Sequence, residues 1–169
     1  MDFVLANPEW NPENLDAITS LSLADDGYLS GWNSDSNEMG SAPVTDVSWN
    51  AAAAYAEWFS RRYLAGTGLK AALPTEEQWE ISGRLNGAVN NAGDLPEGLK
   101  NTADADSGRL GIAGMAGNVR EWCQDWHGVE AVDDPGGPTT GAYRGYRGGC
   151  WSFGGWPCQS AFRRFIEPG

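Results

Sequence analysis

Gly117-Asn118-Val119-Arg120-Glu121-Trp122 and Arg147-Gly148-Gly149-Cys150-Trp151 are the two stretches that decide how this chain folds. Each places glycine close to tryptophan. Glycine reaches backbone conformations closed to other residues, and an indole covers a large apolar area while its N–H needs an acceptor. Two such segments in one chain predict an irregular, loop-rich fold whose tight turns are held by buried indoles.

The surrounding 169 residues fit a single domain, 1–169, large enough for a core without disulfide staples. Nine Trp and 23 Gly with only 20% charged residues describe a compact globule, not a disordered or coiled-coil chain. The net charge of −12 excludes a nucleic-acid partner, whose phosphates require clustered Lys and Arg. That acidity serves either solubility or cation binding. No apolar run of roughly 18 residues exists, so no membrane insertion is expected. Met1-Asp2-Phe3-Val4-Leu5-Ala6 lacks the basic start of a signal peptide, which makes the cytoplasm or a phage or virus particle the expected location. Cys123, Cys150 and Cys158 allow one disulfide but no disulfide framework.

Residues 1–46 are polar and turn-rich, broken at Asn7-Pro8, Asn11-Pro12 and Asp26-Gly27, with Trp10, Leu15, Tyr28, Leu29 and Trp32 as candidate anchors. Ser48 reads as the N-cap of a helix near 49–65, with Ala51, Tyr55, Trp58, Phe59 and Arg62 at helical spacing and Gly66 and Gly68 closing it. Thr75 and Gln78 form a capping box for a second helix near 75–84, ending around Gly83, with Trp79 opening its buried face. Residues 86–118 carry many Gly, Asn and Asp without periodicity and predict a long surface loop. Short strands are expected around 119–126, 143–151 and 160–166.

Four strings in order carry a family resemblance: Pro43-Val44-Thr45-Asp46-Val47-Ser48-Trp49, Leu73-Pro74-Thr75-Glu76-Glu77-Gln78-Trp79-Glu80, and the two stretches quoted first. Together they resemble the formylglycine-generating enzyme and sulfatase-modifying factor family over roughly residues 7–169. The resemblance implies an α+β, C-type lectin-like fold, with two helices packed on short twisted antiparallel strands and much irregular structure. It also implies a strand-and-helix segment ahead of this stretch and a Gly-Phe-Arg strand after Gly169. Either this stretch is part of a longer chain that carries them, or it is a shortened member with different edge strands whose unpaired edges need covering, for which another subunit in a homo-oligomer is the expected remedy.

The aerobic enzymes of this family use O2 and copper held by two thiolates, a soft donor pair suited to Cu(I). Counted from Arg147, the two cysteine positions fall on Phe153 and Cys158, so half the motif is missing. Cys150 stands where the family usually has serine, which leaves a Cys150–Cys158 metal or disulfide pair as the alternative to Cys158 packing as a small hydrophobe. Cys123, between Trp122 and Trp126, is expected in the core. The related iron enzymes need several histidines, and this chain has only His127, expected to be a surface or satisfied polar residue. No nucleophile elbow, phosphate loop, CxxC or HxxxH pair is present.

Family members often hold calcium in the loop region, and hard oxygen ligands on irregular backbone suit that ion. The resemblance carries one such site onto Glu121 with the carbonyls of Gly117 and Val119, and another onto Asn101, Asp104 and Asp106. A solvated acidic loop, or a Glu121 buried in hydrogen bonds, is the competing reading.

After Gly149 the chain mixes aromatic residues with Ser, Gly and Arg, the composition of a recognition surface. Trp151 is expected in the core. Phe153, Trp156, Phe162 and Arg164 are candidate contacts for a protein or other surface ligand within the segment 147–169. The arrangement resembles the variable proteins of diversity-generating retroelements, which vary side chains in a C-terminal segment beginning near Arg-Gly-Gly-Ser-Trp. The reading is therefore a non-catalytic ligand-binding domain, with a copper-dependent oxidase acting on a protein cysteine as the alternative.

Overall fold

The computed structural model describes residues 2–31, 42–87, 98–99, 101, 107–115, 117–127, 138–151 and 163–169. They form an α+β fold and divide between two compact units, one within Met1–Asp35, Val44–Leu73 and Glu167–Gly169, the other within Ser36–Pro43 and Pro74–Ile166.

In the first unit, helices α1 (Asp2–Ala6) and α2 (Leu15–Ser20) flank two 3-10 turns, Pro8–Trp10 and Pro12–Asn14. The prolines expected to break structure instead open these turns, because the first helical position has no use for an amide N–H. Trp10, Ile18, Ala24, Tyr28, Leu29 and Ala51 make one core, with Leu15 packed against it. Trp32 lies outside the described residues. The buried Tyr28 hydroxyl donates to the carbonyl of Trp10 at 3.1 Å, and burial pushes its pKa up to about 12. Helix α3 (Trp49–Tyr63) starts where Ser48 accepts from the Ala51 amide at 3.1 Å, and Gly66 and Gly68 follow it at positive φ. Ala51, Ala56 and Trp58 are its buried residues. Tyr55, expected on the buried face, is exposed and stacks among Phe3, Trp58 and Phe59.

In the second unit, α4 (Glu76–Asn86) begins with the expected capping box of Thr75 and Gln78. It passes through Gly83 and ends at Asn86, less than one turn later than expected, because Gly87 (φ 81°) supplies the left-handed cap. Strands β1 (Glu121–His127), β2 (Tyr143–Arg147) and β3 (Arg164–Ile166) form an antiparallel sheet in that order, and α4 packs on β1 and β2. β1 starts only at Glu121 and β2 stops at Arg147, both shorter than expected. Gly117, Asn118, Gly148 and Gly149 all have positive φ, which extended pairing cannot accommodate.

The stretch 109–112 of the 86–118 loop is tied to the end of α4. Buried Asn86 donates from Nδ2 to the Ile112 carbonyl at 2.7 Å, and its Oδ1 accepts from the Leu110 amide at 2.8 Å. A Cβ on Gly108 (φ 52°) would fall 2.3 Å from the Asn86 carbonyl oxygen, so only glycine passes there. Asn86→Ala removes the partner of the Ile112 carbonyl and the Leu110 amide, both on exposed residues. It is expected to cost about 1–3 kcal/mol in urea unfolding, with Asn86→Asp recovering part through the retained acceptor.

Candidate functional site

The two glycine–tryptophan strings meet each other. Glu121 pairs with Arg147 and Trp122 with Tyr146. Beyond the paired strands, the Gly117 amide donates to the Gly148 carbonyl at 2.6 Å and the Trp151 amide to the Asn118 carbonyl at 3.0 Å. A Cβ on Gly148 (φ 95°) would meet the Met115 carbonyl oxygen at 3.2 Å and the Trp79 ring at 3.3 Å. Glycine here lets the β2 exit close directly over α4's indole.

Around that junction lies a network of charged side chains. The Glu76 carboxylate, 8% exposed, forms an ion pair with Arg147, 3.2 Å from its Nε. It also accepts a two-pronged hydrogen bond from Arg163, with Nη2 at 3.1 Å from Oε1 and Nε on Oε2. Arg147, its side chain only 2% exposed, reaches on to Glu80 at 3.0 Å. The Glu76 amide donates to Asp125 of β1 at 2.7 Å, so a strand carboxylate occupies the positive end of α4. Gly145 makes room for this: a Cβ there would lie 2.4 Å from Glu76 Oε1. The Glu76 hydrogen bond raises the Arg163 pKa, while burial lowers that of Arg144, whose guanidinium lies 3.4 Å from the Trp126 ring centre. Three acids and two arginines thus tie α4 to β1, β2 and the start of β3. Buried charges are tolerated only when paired in this way.

Glu121 sits beside this network. Trp79 Nε1 donates to its carboxylate at 2.5 Å, and burial pushes its pKa up, offset by that indole hydrogen bond. Trp79, Met115 and Cys123 form the small core beneath, Cys123 being fully buried with its thiol pKa raised, first by burial.

Of the candidate residues, Phe153, Trp156, Cys158, Phe162, Asp104 and Asp106 lie outside the described residues. Cys150 is half-buried next to the junction, and Arg164 is exposed on β3. Gly117, Val119 and Glu121 fall in one run leading into β1, while Asn101 is exposed. Among the described residues no group of three or more His, Cys, Asp or Glu is placed to hold a metal. Trp151, expected in the core, is 44% exposed; its backbone follows two left-handed glycines, Gly148 and Gly149, and its amide donates to the Asn118 carbonyl. His127 is half-buried and stacks on Phe165 with ring centres 3.5 Å apart. Sequence reasoning missed the Glu76–Arg147–Arg163 network. Its one local signal is Glu76 and Glu80 spaced four apart on one face of α4.

The profile of the sulfatase-modifying factor enzyme 1-like domain matches residues 21–107 and 96–169. The chain belongs to that family. It is 32% identical over 153 residues to the formylglycine-generating enzyme of Streptomyces coelicolor, covering 72% of this chain and 46% of that protein. It is 37% identical over 127 residues to serine/threonine-protein kinase pkn1 of Chlamydia pneumoniae, covering 64% of this chain and 19% of the kinase. The chain therefore spans less than half the length of these relatives. Among solved structures it is similar to Treponema denticola variable protein 1 (TM-score 0.61, 20% identity, 86% of this chain and 72% of that one). It is also similar to PvdO from Pseudomonas aeruginosa (TM-score 0.59, 21% identity, 76% and 57%). At such identities the likeness is one of fold. Three of the four strings by which the sequence resembled this sulfatase-modifying factor family supply Glu76, Trp79, Glu80, Glu121 and Arg147, so those three serve the scaffold.

Proposed function

We propose that this chain is a single non-catalytic ligand-binding domain that uses its family's scaffold, of C-type lectin type, to present the segment 147–169. Phe153, Trp156, Phe162 and Arg164 are its contact residues, and its partner is a protein or another surface ligand. The observation that carries this reading is the position of Phe153, which stands where the copper-holding members have a thiolate, beside scaffold strings that are complete. A phenyl ring offers Cu(I) no donor, so the pair does not fit that ion. The fold likeness to a variable protein supports the reading. Sequencing sibling copies of the locus tests it: substitutions concentrated after Gly149, at positions such as Phe153, Trp156, Phe162 and Arg164, are expected, and an even scatter along the chain would overturn it.

The relatives named formylglycine-generating enzyme favour a second reading, a copper-dependent oxidase acting on a protein cysteine, and they speak more directly for it than for the first. Without Phe153 as a ligand it needs Cys150 and Cys158 to hold the metal together.

Calcium at Glu121, with the carbonyls of Gly117 and Val119, is compatible with either reading. A carboxylate whose charge is penalised by burial gains from a nearby cation, which is the feature that fits the ion. Metal that binds only the folded chain adds about 2.7 kcal/mol at ~100 times its dissociation constant. In calcium-loaded protein, chelator is expected to lower the melting temperature and Glu121→Gln to remove that sensitivity. Melting unaffected by chelator would leave Glu121 as a hydrogen-bond acceptor for Trp79 alone.

A further inference from the structure

We infer that Arg163 is a positioning residue, the clamp that fixes the downstream end of the candidate ligand segment on α4. The inference rests on the proposed binding role only for the segment's purpose; the clamp itself stands on geometry. Upstream, the last described residue is Trp151, whose amide is held by the Asn118 carbonyl at 3.0 Å. Downstream, the first described residue is Arg163, and its guanidinium forks onto both oxygens of Glu76. Residues 152–162 between those two points lie outside the described residues.

The acceptor is itself immobilised. Glu76 is also held by Arg147 at 3.2 Å, its amide is bonded to Asp125, and Gly145 backs its carboxylate closely enough to exclude a Cβ. A flexible carboxylate would follow a moving arginine; this one holds it. Two parallel N–H···O bonds fix direction as well as distance, which a single point contact does not. Arg163 immediately precedes β3, so its placement sets the register in which Arg164, Phe165 and Ile166 pair with Tyr146, Gly145 and Arg144.

The clamp is also separable from the fold. The Arg163 side chain is 47% exposed, and without it Glu76 keeps Arg147, so no buried charge is stranded. Of the two neighbouring arginines, Arg163 anchors on Glu76, and Arg164 is exposed on β3.

Native-state hydrogen exchange of the whole chain tests this. In Arg163→Ala, exchange at the Arg164–Ile166 amides is expected to rise about tenfold, while α3 and β1 change less than about twofold, as for local opening. Arg163→Lys should recover part of the protection through a single charged contact. Unchanged exchange at 164–166, an equal rise everywhere, or Lys no better than Ala would each overturn the clamp. A separate chain carrying Phe153→Ser, Trp156→Ser and Phe162→Ser tests the segment's role without touching Arg163. Melting within a few degrees of the parent supports side chains free of the core, and collapse of the fold would end the binding reading while leaving the clamp to its own result.

Discussion

Arg147→Ala is expected to destabilise the fold by about 3–5 kcal/mol, the range for breaking a buried ion pair by removing one partner. Arg147 is almost completely enclosed, and it joins Glu76 to Glu80 across the α4–β2 interface. Its removal leaves Glu76 with the half-exposed Arg163 and Glu80 with the exposed Arg84. Neither can replace a guanidinium lying between both carboxylates. Urea unfolding checks this, with the midpoint falling and the slope retained if the two-state transition survives. Arg147→Lys keeps the charge but not the fork, so an intermediate loss is expected. A loss below about 1 kcal/mol for the alanine variant would mean that the network is surface-like and contributes as little as exposed pairs do.

The second large effect belongs to Trp79. Truncation to alanine removes a 2% exposed indole packed against Gly148 and is expected to cost about 3–5 kcal/mol. Trp79→Phe retains much of the apolar area but removes the N–H that Glu121 accepts, for about 1–3 kcal/mol beyond the volume change. The two causes separate in a double-mutant cycle. If the lost hydrogen bond to a buried carboxylate is the cause, Trp79→Phe should cost less in a Glu121→Gln chain than in the parent. Equal costs in both backgrounds would assign the whole effect to packing.

The helices around α3 and α4 were legible because their signals are local: Ser48 and Thr75 are caps three residues from their amide donors, and Gly66 and Gly68 mark an end. The family strings were legible for the same reason. Strand limits were not, since Gly117, Asn118, Gly148 and Gly149 read as turn-formers but their left-handed backbone cuts the strands short only once the two strings pair. The exposure of Trp151 was likewise invisible, because an indole's chemistry suits a core and its 44% exposure follows from the tertiary setting of the two strings and not from its own type. The charged network joins residues far apart in sequence, Glu76 to Arg147 and Arg163, and no spacing rule reaches that far. The short helices in 1–31 were hidden by prolines that stop a helix in its interior but start one at its first position.

Whether the chain has kept its family's scaffold without the oxidase's metal is settled most directly by Cu(I) titration of the reduced protein against a competing chelator, beside Cys150→Ala and Cys158→Ala. The expected result is no tight copper site, with all three proteins alike, because position 153 carries a phenyl ring in place of a thiolate. One equivalent of Cu(I) bound tightly by the parent and lost in either cysteine variant, with O2-dependent aldehyde formation on a cysteine peptide, would contradict the binding-domain reading and establish the oxidase.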